Sequence, residues 1–171
     1  MRTALKKSCD VYFYEVARRL GIDRLAATAK KFGLGDKVLD NYSEEKGGVV
    51  PNTQWKIKEL GKNWYIGETL HSGIGQGYFL TTPLQLCLMT AQIANGGFKV
   101  KTKIIVNKDD PIRSLEKYFN HKNSTPGNVM STDDQIFNFS LQPLFRNQEN
   151  INLVKEAMFA ATNEEGGTSY R

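Results

Sequence analysis

Long apolar runs are missing from this 171-residue chain. Nowhere do about eighteen apolar residues follow one another, and no apolar signal core lies near the N-terminus. As written, the sequence carries neither membrane anchor nor export signal, and made alone it is expected in the cytoplasm. Cysteine is equally scarce: Cys9 and Cys87 are the only two, too few and too far apart for a disulfide framework. Buried free thiols are the expectation, with Cys87 on the apolar face of a helix beside Leu84, Leu88 and Ala91. The two histidines, His71 and His121, show no metal-ligand spacing with these cysteines. Neither a metal nor a cofactor is expected. A dense run of one charge is missing too, because the net charge of +5 is spread along the chain. That favours a solvated surface and, with no nucleic-acid motif beside it, no nucleic-acid partner.

What is present is ordinary globular composition, 40% hydrophobic and 24% charged, enough for one domain with a core. Its most informative stretch is Gly73-Ile-Gly-Gln-Gly-Tyr78 running into Thr82-Pro83-Leu84-Gln85. Glycines at alternate positions permit positive φ or close backbone approach. Thr82 then supplies an N-cap, Pro83 the first helical position, and Gln85 the far corner of a capping box. The helix reads from Pro83 to Asn95, stopped by Gly96-Gly97. Upstream, Thr3–Lys7 reads as the end of a helix, Ser8–Asp10 as a turn, and Val11–Leu20 as a second helix closed by Gly21. Phe13, Val16, Ala17 and Leu20 share one face of it. Ile22–Phe32 reads as a third helix, followed by a polar loop to about Asn63, and Trp55 and Trp64 read as packing anchors rather than substrate platforms. Phe98–Val106 alternates as a strand, and Ile151–Thr162 reads as a helix with Val154, Met158 and Ala161 inward.

Ser8-Cys9-Asp10, leading into Val11-Tyr12-Phe13-Tyr14-Glu15-Val16-Ala17, joins the glycine loop in one resemblance. On local pattern alone Ser8 is a helix-capping serine and Asp10 a first-turn acid. Taken with the loop, the two segments resemble the transpeptidase domain of class B penicillin-binding proteins, and most closely the penicillin-binding protein 2 type. The resemblance covers Thr3–Gly35, Trp64–Val106 and Ile151–Tyr170. It covers Leu39–Asn63 loosely and leaves 107–150 as an unplaced insertion or irregular segment. It implies an α+β fold, an incomplete β-lactamase-like domain that is mainly helical with a small antiparallel sheet portion. It also implies that Ser8 and Asp10 match the family's Ser-x-Asn/Asp triplet beside the active site, where the serine relays protons.

Penicilloyl serine transferases use two further motifs: a Ser-x-x-Lys that pairs nucleophile and base, and a Lys-Ser/Thr-Gly that binds the substrate carboxylate. Ser43-Glu44-Glu45-Lys46 and Ser114-Leu115-Glu116-Lys117 match the first as patterns. Ser43 follows the triplet where the family's nucleophile precedes it, and Ser114 opens a charged segment after Asp109-Asp110-Pro111. Lys-Ser/Thr-Gly does not occur. Residues 1–171 are therefore expected to be a central part of one transpeptidase domain, inactive alone. Its family substrates are peptidoglycan stem peptides and β-lactams. Its partners are expected among other fragments of the same enzyme or elongation-machinery proteins, and the family is anchored in the inner membrane with a periplasmic catalytic domain. The alternatives are a non-catalytic remnant of a split gene and a basic interaction or nucleic-acid-binding domain.

Overall fold

The computed structural model describes residues 1–39, 42–102 and 143–170. Among them the chain forms helices α1 (Arg2–Lys6), α2 (Asp10–Leu20), α3 (Ile22–Lys31), α4 (Thr53–Leu60), α5 (Ile66–Gly73), α6 (Pro83–Ala94) and α7 (Glu149–Asn163). Helix α2 packs along α5 and α1 along α7, while α3 touches α2 and α5, and α6 touches α7. The central core gathers Ala26, Leu34 and Val50, with Ala29, Phe32, Phe79 and Met89 packed around it.

The small antiparallel sheet expected from the sequence is not found among the described residues. Pairing there is limited to three isolated bridges: Val49 with Leu80 and Phe98 with Pro143, both antiparallel, and Leu39 with Thr102, parallel. The expected strand at 98–106 contributes to the last two, and its residues 103–106 lie outside the described residues. Pro143 has no N–H to donate, so a ladder cannot propagate through that pair.

Helix α4 occupies ground read from sequence as loop, and α5 fills the stretch between that loop and the glycine loop, to which the sequence reading assigns no element. Helix α4 has sound ends: the Asn52 side chain accepts from the Trp55 N–H at 2.7 Å, and Gly61 closes it at φ +62°. Its apolar pattern is inverted, which hid it. Lys56 is buried at 2% exposure while Ile57 and Leu60 face solvent.

The inward faces of three other helices differ from those the spacing predicts. In α2, Ala17 is buried and Phe13 and Leu20 are half-buried, but Val16 is exposed. In α7, which packs against α1 and α6, the buried residues are Ile151, Ala157 and Ala160, with Met158 exposed. In α6 the expected face of Leu84, Cys87, Leu88 and Ala91 gives way to Gln85, Leu88 and Gln92. The two glutamines, 0% and 2% exposed, satisfy backbone groups where α3 ends: Gln85 Nε2 donates to the Asp36 carbonyl at 2.7 Å and Gln92 Nε2 to that of Phe32 at 2.9 Å. Pairing these carbonyls outweighs burying a thiol, and Cys87 is exposed, as is Cys9. Both thiols thus correct the expectation of burial.

The 107–150 segment is described only from residue 143. There the Leu144 N–H donates to the Gly97 carbonyl at 2.8 Å, and Phe145 packs on Phe32 at 5.1 Å between ring centroids.

Candidate active site

Lys7, Ser8 and Cys9 link α1 to α2 in a Schellman turn: the Ser8 N–H donates to the Leu5 carbonyl at 3.2 Å and the Cys9 N–H to that of Ala4 at 2.8 Å. That turn requires a left-handed residue, usually glycine. Here it is Ser8, at φ +48°, the only non-glycine with positive φ among the described residues. A serine held there stores roughly 1 kcal/mol of backbone strain, a habit of functional sites. Cys9, not Ser8, is the N-cap of α2, without a side-chain capping bond. The serine side chain is thereby left available for another partner.

That partner comes from 160 residues further along. Ser8 Oγ lies 3.1 Å from Thr168 Oγ1, and the Thr168 N–H donates to the Lys6 carbonyl at 3.1 Å. Gly166 and Gly167 make this approach feasible. Gly166 takes φ +74°, and a Cβ on Gly167 would lie 2.7 Å from the Ala160 carbonyl oxygen, inside contact distance. Glu164 secures the same junction by accepting from Lys6 Nζ at 3.0 Å and from Arg2. Hydrogen bonds from Lys6 and then Arg2 hold the Glu164 carboxyl below the usual carboxylate range despite the opposing pull of burial. Asp10 opens α2, exposed, at the positive end of the helix dipole. Thr168 was missed as a partner of Ser8 in the sequence, where the only signal is the glycine pair before it.

The glycine loop reaches α2 through Gly73, where a Cβ would clash with the Ala17 methyl and lie 3.1 Å from the Phe13 carbonyl oxygen. Gly75 and Gly77 take φ +74° and +81°, as alternate glycines suggest. The capping box forms as read: the Gln85 N–H donates to Thr82 Oγ1 and the Thr82 N–H to Gln85 Oε1, both at 3.2 Å. The loop ends on an aromatic group, with the Tyr78 ring centroid 5.4 Å from Trp55 and 6.3 Å from Trp64.

Of the two Ser-x-x-Lys patterns, residues 43–46 serve the loop after α3. Ser43 lies in a turn, and the buried Glu45 carboxylate accepts from the N–H groups of Val38 and Leu39 at 2.8 and 2.9 Å. Ser114 and Lys117 lie outside the described residues. Among the described residues no group of three or more His, Cys, Asp or Glu side chains gathers into a metal-binding cluster, and no helix is long and apolar enough to cross a membrane.

Known proteins resemble this chain in sequence and in fold. The penicillin-binding protein transpeptidase domain family matches residues 1–171. The peptidoglycan D,D-transpeptidase MrdA of Salmonella typhimurium is 30% identical over 168 residues, 98% of this chain and 24% of the relative. The Escherichia coli K12 protein of the same name is 42% identical over 94 residues, 55% of this chain and 15% of that relative. Among solved structures, penicillin-binding protein 2 of Helicobacter pylori, in complex with MreC, superposes with a TM-score of 0.74 at 27% identity, over 99% of this chain and 26% of that one. Pseudomonas aeruginosa PBP2 in complex with WCK 5153 gives 0.69 at 32% identity, over 98% and 33%. The chain thus spans about a quarter of the length of the Salmonella relative. It belongs to the penicillin-binding protein transpeptidase family, in the penicillin-binding protein 2 branch.

Proposed function

We propose that these residues form part of an acyl-serine peptidoglycan transpeptidase that cross-links stem peptides during cell elongation, with Ser8 as proton relay and Asp10 as its neighbour in the triplet. In such a reaction a serine oxygen bonds to the penultimate D-alanine carbonyl carbon. The bond to the terminal D-alanine nitrogen breaks, and that leaving amine must take up a proton. An amine of a neighbouring stem then attacks the acyl-serine ester, loses a proton and regenerates the serine hydroxyl. Both steps need a hydroxyl that accepts one proton while giving up another. The observation that carries the assignment is the Ser8 turn, where a non-glycine residue in left-handed conformation presents its Oγ beside Thr168 Oγ1 at 3.1 Å. In this reading Asp10, the first residue of α2, holds substrate amide groups.

Elongation-machinery proteins are the proposed partners, supported by the MreC complex of the Helicobacter pylori neighbour. Attachment to the inner membrane with a periplasmic catalytic domain follows the same family reading.

The test is acylation by a fluorescent penicillin, read by intact-mass spectrometry. Residues 1–171 alone should acquire no stable adduct, because Ser8 has no lysine base in a Ser-x-x-Lys arrangement around it. Placed in the Escherichia coli relative in exchange for the corresponding stretch, they should support acylation, and Ser8→Ala should slow it by about 10²-fold or more, the usual size of an acid–base contribution. A stoichiometric adduct on Ser8, Ser43 or Ser114 of the chain alone, or unchanged acylation in the Ser8→Ala chimera, would overturn the reading.

A further inference from the structure

Lys56 is the largest fully buried side chain of the structure's described residues, and the triplet chemistry makes no use of it. It projects from α4 into a cage made by other elements. Its Nζ lies 4.8 Å from the Tyr65 ring centroid, 5.7 Å from that of Trp64 and 5.9 Å from that of Tyr78, and it pairs with Glu68 Oε1. The other Glu68 oxygen accepts from the Tyr65 N–H at 2.8 Å and so caps α5. Trp64 is fixed in turn by its Nε1–H, which donates to Thr69 Oγ1 at 2.8 Å. One cation therefore touches the turn before α5, the first turn of α5, and the residue that closes the glycine loop.

A buried ion pair is weak support for stability, since an apolar residue of similar volume commonly does as well. Its best-attested use is to fix which arrangement the surrounding elements adopt. The loop needs such fixing. Its start is held by Gly73 against α2 and by the Gln76 N–H donating to the His71 carbonyl at 3.0 Å. From there Gly75 and Gly77 give the backbone unusual freedom. We propose that Lys56 is a positioning residue that, through Glu68 and the ring of Tyr78, sets the path of the glycine loop between α5 and α6. The transpeptidase reading gives this loop its role, but the clamp is a property of the chain alone and is tested without substrate.

The experiment is amide hydrogen exchange on the 171-residue chain, with tryptophan fluorescence for Trp55 and Trp64. Lys56→Met keeps the volume and removes the charge. It should leave the amide of Gly21, which donates to the Ala17 carbonyl at the end of α2, exchanging at its original rate. It should speed exchange at Gln76 by about tenfold or more, by the relation between local opening and protection, and shift the tryptophan emission. Lys56→Arg, which keeps the charge and binds rings and carboxylates, should recover most of the protection at Gln76. Three results would overturn the proposal: unchanged exchange at Gln76 in Lys56→Met, a uniform loss of protection that includes Gly21, or no recovery in Lys56→Arg. None of these readouts involves a β-lactam, so failure here leaves the transpeptidase reading in place, and failure of penicillin acylation leaves this proposal in place.

Discussion

Adding one methyl group at Gly73 should drive α2 and α5 apart. A Cβ there would clash with the Ala17 methyl and sit 3.1 Å from the Phe13 carbonyl oxygen. Neither neighbour is the free end of a flexible side chain, so relief requires moving one helix relative to the other. Overpacking of this kind costs about 1–3 kcal/mol, against which alanine regains up to about 1 kcal/mol of helix propensity over glycine. Taken at the middle of these ranges, the net for Gly73→Ala is a loss of about 1–2 kcal/mol. At about 2–4 °C per kcal/mol for a chain of this size, the melting temperature should fall by roughly 2–8 °C. Ala17→Gly alone should also destabilise, by about 1–2 kcal/mol, through helix propensity and a lost buried methyl. The double variant restores room at the crossing. It should therefore be more stable than the sum of the single losses predicts, by about 0.5 kcal/mol or more, the range of directly contacting pairs. Thermal melts followed by circular dichroism give all four corners of the cycle. A Gly73→Ala protein that melts at or above the original temperature, or a strictly additive double variant, would refute the claim that this crossing is limited by close contact.

Ser8→Gly removes the left-handed strain at φ +48° but loses the contact with Thr168, whereas Ser8→Ala keeps the strain and loses the same contact. The glycine variant should be the more stable of the two by about 1 kcal/mol, and the reverse order in denaturant titrations would remove the case for strain at the triplet. Gln85→Leu should cost about 1 kcal/mol or more by removing the part-buried bonds of its side chain to the Asp36 carbonyl and the Thr82 N–H. Leu86→Gln, on the exposed side of the same helix, should stay within about 0.5 kcal/mol. Equal effects in urea unfolding would contradict the amide-lined face assigned to α6.

The parts of this protein that depend on neighbours in sequence were legible from the sequence. Thr82, Pro83 and Gln85 set the start of α6 through contacts spanning three residues, and Gly21 ended α2, because caps and backbone preferences act within a single turn. A turn at Ser8 was legible for the same reason, though Asp10 already belongs to α2, and with the glycine loop it pointed to the family. Periodicity failed where burial is polar. A helix that buries Lys56 or Gln85 and Gln92 while exposing Ile57, Leu60 or Cys87 inverts the signal by which amphipathic helices are recognised. Only the tertiary structure decided those faces, since each buried polar group is stabilised by a partner from a distant segment: Glu68 for Lys56, the Asp36 carbonyl for Gln85, and the Phe32 carbonyl for Gln92. It likewise decided that Ser8 meets Thr168 rather than capping α2, a contact across 160 residues that no local pattern encodes.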